Sequence, residues 1–483
     1  MNELTVKLED ISVSFGNKDI FDIEQMSAYM NDRIAIVGRN GSGKSTLLKI
    51  IAGVFEGYTG EVQRETDFNY LSQIGDPKTE ISESLDFEML SRMNIPGNNN
   101  LSGGEETKYR IVQTLSDYKM GLLLDEPTTH LDQQSIDFLI QELEYYYGTL
   151  IFVSHDRYFI NSLATKVWEV SDGRIKEYAG NYKAYEEAKE QEKLEQERQY
   201  ENTIKEKERL NKAIEKQASK ADKMSKGQKS QDIKPDRLSS SKQKDTVQKQ
   251  AHKTAKAMES RLNQLADAKR PDQQADIEFP VSKAMELHNK FPIMGRDVTV
   301  ERGGNILLDK VSFQFPLGKT IAITGNNGSG KSSLLSDIVQ GSGNFDISPK
   351  VVIEQYKQMD YKMFGTEQVM QFLMRHTELN ESIVRSMLVS LGFSPSEVMK
   401  PVNQLSGGEA TRLSLALMFV KPSNVIILDE PTNFIDLMTI EALEKFIRAY
   451  QGTIIFTSHD RQFISRTADR VYTIFEKNLI DIT

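Results

Sequence analysis

The chain has 483 residues, 38% hydrophobic and 27% charged, with a formal net charge of −10 and no cysteine; this is too long for one core, so two or three domains are expected, and disulfides, thiolate metal sites and cysteine nucleophiles are excluded. No apolar run approaches the roughly 18–20 residues that span a bilayer, and the start MNELTVKLED lacks the charged-then-apolar layout of a secretory signal, so a soluble, cytoplasmic protein is expected. The charge is uneven: between Asn211 and Arg270 there are 16 Lys and Arg against 7 Asp and Glu, leaving about −19 on the rest, the pattern of a basic arm on acidic bodies.

In chain order, an apolar run Ile34–Val37 leads into Gly38-x-x-x-x-Gly43-Lys44-Ser45, followed by the amphipathic STLLKII. That order, strand then glycine-rich turn then helix, is the context of a phosphate-binding loop. Glycines let the backbone curl so that N–H groups converge on a phosphate, the helix start adds partial positive charge, and the lysine neutralises β- and γ-oxygens. LSGGE follows at 101–105, and then LLLDEPTTHLD at 122–132 and FVSHDRYFI at 152–160. Every one of these segments returns in the same order: GNNGSGKSS at 325–333, LSGGE at 405–409, IILDEPTNFID at 426–436 and FTSHDRQFI at 456–464. The spacing from the signature serine to the DEP aspartate is 23 residues in both copies, and from the DEP glutamate to the histidine it is 29 in both. Only the stretch from lysine to signature differs, 58 residues against 75. The chain is therefore read as an internal duplication of α/β domains.

The expected domains are 1–185, 186–275 and 276–483. The middle segment is rich in Lys, Gln, Glu and Ala, and from Glu201 to Pro280 its only aromatic residue is Phe279. Apolar positions step by three and four through Leu210, Ile214, Ala218 and Ala221, and again from Val247 to Leu265. This predicts an antiparallel helical hairpin with arms of up to about 35 residues, on the order of 50 Å, and a basic tip around 223–245. A solvated linker would show a similar charge run.

Chemistry is assigned motif by motif. Ser45 with Asp125, and Ser332 with Asp429, are the expected Mg²⁺ ligands, since each aspartate ends an apolar strand beside a phosphate loop. Glu126 and Glu430 are placed to align and polarise an attacking water, and His155 and His459 to contact a γ-phosphate. The LSGGE glycines offer backbone donors at a helix start, but each half's own loop already cradles a phosphate. They are therefore expected to serve the opposite half.

Phosphate loop, LSGGE signature, DEP box and SHD histidine together resemble the nucleotide-binding domains of ATP-binding-cassette proteins over most of both halves. The resemblance implies two P-loop NTPase domains meeting head to tail around two ATP molecules. One site would then join Gly38, Arg39, Asn40, Gly41, Ser42, Gly43, Lys44, Ser45 and Thr46, with Asp125, Glu126 and His155, to Ser406, Gly407, Gly408 and Glu409. The other would join Gly325, Asn326, Asn327, Gly328, Ser329, Gly330, Lys331, Ser332 and Ser333, with Asp429, Glu430 and His459, to Ser102, Gly103, Gly104 and Glu105. The family's coupling glutamine matches Gln73, and in the second half Gln358, with Gln355 as a competing position. Its base-stacking aromatic matches Phe15, and the stretch Val300–Gly303 offers none. Phe434 stands where the first copy has His130.

Two fused cassettes separated by a basic hairpin resemble the ABC-F proteins, soluble ATPases that act on ribosomes. SHDRYF, GNYKAY at 180–185, SKAMELHNKFPI at 282–293, the lack of an insertion in the first cassette and the short C-terminal end are similar to the Msr-type antibiotic-resistance branch. That resemblance implies a monomer whose hairpin enters the ribosomal tRNA exit site toward the peptidyl-transferase region, contacting rRNA and P-site tRNA and favouring release of macrolide- or streptogramin-type drugs. Leu238, an isolated apolar residue in the tip, is expected to lie deepest. A housekeeping ABC-F translation factor and an ATPase subunit of a transporter are the alternative readings.

Overall fold

A computed structural model describes residues 3–16, 18–73, 86–93, 95, 103–226, 253–254, 256–258, 260–263, 265, 279, 287–356 and 365–483. It divides into two units, one made of 1–185 and 274–483, the other of 186–273.

Each half of the first unit is organised around a six-stranded sheet. In the N-terminal half the strand order is Phe68–Leu71, Gly121–Asp125, Thr149–Val153, Arg33–Gly38, Lys166–Ser171 and Arg174–Ala179; all neighbours are parallel except the last pair. The C-terminal half repeats this with Ile353–Tyr356, Val425–Asp429, Thr453–Thr457, Thr320–Gly325, Arg470–Phe475 and Asn478–Asp481. The central strands read as unbroken apolar runs because helices cover both faces: Gly121–Asp125, Thr149–Val153 and Thr453–Thr457 are buried at every position. A smaller antiparallel sheet lies against each, of order Lys18–Tyr29, Leu4–Phe15, Thr59–Arg64 in the first half and Asn305–Phe315, Ile293–Arg302, Phe345–Ile347 in the second. Helices Lys44–Ala52 and Lys331–Gln340 fill the space between the two sheets, with Leu47, Leu48, Ile51 and Leu334, Leu335, Ile338 fully buried. This matches the α/β expectation. It also fixes where chemistry can occur, since both phosphate loops, both DEP boxes and both histidines leave the same, C-terminal edge of their sheet.

The second unit differs from expectation in length. Helix Tyr182–Lys226 runs 45 residues, longer than the arm of about 35 predicted, and at 1.5 Å per residue extends about 68 Å. Its start lies inside the first unit. Asn181 Oδ1 accepts from the Ala184 N–H at 3.2 Å, and Tyr182 and Tyr185 pack with ring centroids 5.6 Å apart. The returning arm is helical at 253–254, 256–258 and 260–263, and Arg261 lies 3.4 Å from Glu206. Leu210 is buried, as its seam position predicted. The tip from 227 to 250, including Leu238, lies outside the described residues. No helix among the described residues is long and apolar enough to cross a membrane.

Candidate nucleotide sites at the seam between two halves

The first phosphate loop is shaped by backbone that only glycine adopts easily. Gly41 and Gly43 have φ of 78° and 100°, and a Cβ on Gly43 would stand 2.6 Å from Ile20 Cγ2. The Lys44 ammonium is buried and donates to the carbonyls of Gly38 and Arg39 at 2.9 and 3.0 Å, folding back over the loop. Burial lowers its pKa. The second loop repeats this: Lys331 Nζ donates to the carbonyls of Gly325 and Asn326 and lies 3.0 Å from His459 Nε2. In both loops a buried hydroxyl, Ser42 Oγ and Ser329 Oγ, has no hydrogen-bond partner among the described residues. Buried donors of this kind suit an anion's oxygens.

Ser45 Oγ donates to Asp125 Oδ1 at 3.0 Å and Ser332 Oγ to Asp429 Oδ1 at 2.9 Å. A hydroxyl and a carboxylate beside a phosphate loop are hard oxygen donors of the type Mg²⁺ takes. No cluster of three or more His, Cys, Asp or Glu suited to a metal occurs among the described residues; Mg²⁺ needs none, since it is held by one or two protein oxygens together with substrate phosphates and water. Tyr70, which the sequence did not single out, donates to Asp125 Oδ2 at 3.3 Å.

Glu126 and Glu430 follow directly, both in left-handed backbone at φ 53° and 46°, a conformation that stores about 1–3 kcal/mol at a non-glycine residue. The turn brings each carboxylate back toward the histidine of its own half. His155 Nε2 lies 3.1 Å from Glu126 Oε1, and the His155 backbone N–H donates to Oε2 at 3.2 Å. The second pair is looser, with His459 Nε2 3.5 Å from Glu430 Oε1 and neither Glu430 oxygen hydrogen-bonded among the described residues. Burial pushes both carboxyls up to about 7. Burial and the nearby lysine ammonium lower His155 to about 3 and His459 to about 4, so both imidazoles are neutral at pH 7.

The second signature caps its own helix, and both signatures approach the other half. Ser406 and Glu409 form a reciprocal cap on helix Gly407–Val420: the Glu409 N–H donates to Ser406 Oγ at 3.4 Å and the Ser406 N–H to Glu409 Oε2 at 2.8 Å. Gly408 then sits against the first loop, where an added Cβ would be 3.8 Å from Asn40 Cβ. At the other site a Cβ on Gly104 would meet Asn327 Nδ2 at 3.4 Å and the His130 carbonyl oxygen at 3.0 Å. One glycine of each signature, Gly408 and Gly104, thus lies beside the phosphate loop of the opposite half. Gly103 and Glu105 open helix Gly103–Ser116, whereas Ser102 and Gln358 lie outside the described residues. A cavity of about 550 Å³ gathers Phe15, Lys44, Thr46, Gln73, Glu126 and His155 with Asn433, Phe434 and His459 of the other half.

Three kinds of contact across this seam were not read from sequence. Asp436 caps helix Leu437–Ala449 by accepting from the Thr439 N–H at 2.9 Å, and it also accepts from the Asn40 N–H at 2.8 Å. Asp132 holds the equivalent place, accepting from Ser135 N–H at 3.0 Å, and a backbone N–H bond from Asn327 helps lower its pKa. The clue was present, an aspartate repeated just before a helix in HLD and FID, but a cap and a cross-half contact look alike in sequence. His130 and Phe434, the asymmetry noted above, meet edge to face with centroids 5.3 Å apart. Finally, the arginines of SHDR join the halves: Arg157 to Glu444 and Arg461 to Asp137, both at 2.5 Å.

These two arginines predict different energetics. Arg157 is fully buried and its partner nearly so, whereas Arg461 and Asp137 are each 39% exposed. Arg157→Ala is expected to destabilise the chain by up to about 3–5 kcal/mol, because it leaves the buried Glu444 carboxylate with only the more distant Arg466, 3.5 Å away, and Arg461→Ala by less than about 1 kcal/mol. Equal losses in chemical denaturation would show that the Arg157 pair is not a seam lock.

Comparison with known proteins agrees with this geometry. A family model described as ABC transporter matches residues 22–85 and 308–433, and a second model with that description matches 168–246. The chain is 40% identical over 494 aligned residues, covering 100% of both sequences, to "Erythromycin resistance ATP-binding protein MsrA" of Staphylococcus epidermidis. It is 31% identical, over 99% of itself and 88% of the relative, to "Ribosome protection protein VmlR" of Bacillus subtilis. Among solved structures, "RNase-L Inhibitor" aligns over 98% of this chain and 91% of its own with a TM-score of 0.64, and an archaeal ribosome recycling factor, aABCE1, over 98% and 90% with 0.65; at 17% identity both show the fold alone. Two halves paired across their phosphate loops, and a full-length relative at 40% identity, lead to one conclusion: the chain belongs to the ABC-F family of ATP-binding-cassette proteins and resembles its Msr-type members.

Proposed function

We propose that the chain is an ATPase that binds ribosomes, inserts its 186–275 hairpin at the tRNA exit site toward the peptidyl-transferase region, and promotes release of macrolide- or streptogramin-type drugs. The observation that carries this reading is the crossing of the halves at each phosphate loop, Gly408 against Asn40 and Gly104 against Asn327. A nucleotide seated on one loop would touch the signature of the other, so two triphosphates would hold the halves together and fix the base of helix Tyr182–Lys226. The printed functions of the two full-length relatives, erythromycin resistance and ribosome protection, support the target.

Within each site Lys44 or Lys331 would neutralise phosphate charge, and Ser45 with Asp125, or Ser332 with Asp429, would hold Mg²⁺. When bound, the metal supplies charge neutralisation between the β- and γ-phosphates. Glu126 and Glu430 would orient a water and accept its proton, while neutral His155 and His459 would hydrogen-bond the γ-phosphate. Loss of that phosphate removes what both halves share, and the seam relaxes.

The test is co-sedimentation with ribosomes. The chain is expected to pellet with ribosomes when a non-hydrolysable ATP analogue is present and to remain largely in the supernatant with ADP. Equal recovery in both conditions would sink the reading.

A further inference from the structure

The two halves share one plan but differ where a nucleotide base would rest. In the first, strand Leu4–Phe15 ends at Phe15, which pairs with Lys18 across the hairpin, packs on Phe55 with ring centroids 5.8 Å apart, and lines the cavity beside Lys44 and Thr46. In the second, strand Ile293–Arg302 ends at Arg302, paired with Asn305. Arg302 therefore occupies the hairpin-end position of Phe15.

Its guanidinium is held in place. Arg302 Nη2 lies 2.5 Å from Asp337 Oδ1 and 3.5 Å from the carbonyl oxygen of Ser333, the counterpart of Thr46. Nη1 donates to the Glu301 carbonyl at 2.8 Å. Asp337 is buried, six residues past Lys331, where the first half has the fully buried Ile50 six residues past Lys44. The two positions differ together: a ring packed on Phe55 with an apolar residue at position 50 in one half, a guanidinium anchored by a carboxylate in the other. The Arg302 side chain remains 47% exposed, so its flat face is open to a ligand even while its edge is tied to Asp337. A guanidinium is planar, always charged and weakly hydrated, and stacks on aromatic rings as a lysine ammonium does not.

We infer that Arg302, oriented by Asp337, is the base platform of the second nucleotide site, stacking a purine ring where Phe15 does so in the first. This rests on reading both halves as ATP sites, and the experiment separates the two ideas. In the full chain with Lys44→Ala silencing the first site, calorimetric titration with Mg-ATP and with magnesium tripolyphosphate reads base and phosphate recognition apart. Arg302→Ala is expected to weaken ATP binding about tenfold and tripolyphosphate binding less than about twofold. Arg302→Phe should restore ATP affinity, whereas Arg302→Lys, which keeps a charge for Asp337 but no flat face, should bind ATP as weakly as Arg302→Ala. Parental ATP affinity in Arg302→Lys, or equal weakening of both ligands in Arg302→Ala, would reduce Arg302 to a hairpin staple and overturn the inference while leaving the site intact. Failure of the Lys44→Ala parent to bind either ligand would overturn the site and its platform together.

Discussion

Replacing Glu126 and Glu430 together by Gln is expected to slow ATP turnover by about 10²–10³-fold and to increase the fraction of the protein held on ribosomes. Glutamine matches glutamate in size, so both left-handed turns and both nucleotide sites should persist; what disappears is the proton acceptor. Each carboxylate has the features of a tuned base: it directly follows a buried strand, lies within 3.1 or 3.5 Å of a histidine, and is pushed by burial up to about 7. The sign of the pH effect follows. Below about 7 the carboxyls are protonated and cannot accept the water's proton, so parental turnover should fall as pH drops from 8 to 6. The imidazoles, lowered to about 3 and 4, stay neutral throughout and contribute no inflection in that range. Residual turnover in the double variant should lack the slope. A variant that hydrolyses at the parental rate, or slows without accumulating on ribosomes, would remove these glutamates from the mechanism.

How much of this was legible beforehand depended on whether a signal was repeated and local. The phosphate loops, DEP boxes and SHD histidines were legible because each is a short segment whose chemistry needs particular residue types at fixed offsets, and the duplication supplied each signal twice. The facing of each signature toward the opposite half was inferred by elimination, and the closeness of Gly408 to Asn40 agrees with it. What stayed hidden were contacts between residues some 200 to 400 apart in the chain. Asp436 reads as an ordinary helix cap, and nothing in its neighbourhood indicates that its second oxygen meets the Asn40 N–H. Arg157 sits in a motif recognised for its histidine, yet its partner Glu444 has Ile140 as its counterpart in the first half, so the duplication gave no help. Arg302 stays hidden for a related reason: the sequence signal of a base platform is an aromatic, and a guanidinium offering the same flat face carries none. The hairpin arm was underestimated because its start, GNYKAY, carries two aromatics that interrupt the charged pattern, although Tyr182 is buried and already helical.

Deleting residues 223–245 should abolish drug protection in cells while leaving ribosome-independent ATP turnover within about twofold of the parent. The second half of that expectation follows from where the chemistry lies: both phosphate loops, both glutamates and every cross-half contact described above belong to 1–185 and 274–483. The first half follows from charge and composition. The deleted stretch carries seven Lys and Arg and no aromatic residue, which suits neutralising the phosphates of folded RNA rather than stacking on unpaired bases. Losing those cations should also flatten the salt dependence of ribosome binding, by roughly 0.7–0.9 in log–log slope for each phosphate contact removed. Leu238→Asp provides the finer version, placing a charge at the one isolated leucine of the tip without changing its length; it should reduce protection and leave the salt slope nearly unaltered. If the deletion costs turnover as well as protection, the tip supports the cassettes structurally. If protection survives, the drug is released by some other part of the chain, and the long helix from Tyr182 serves only to tether two ATPase halves.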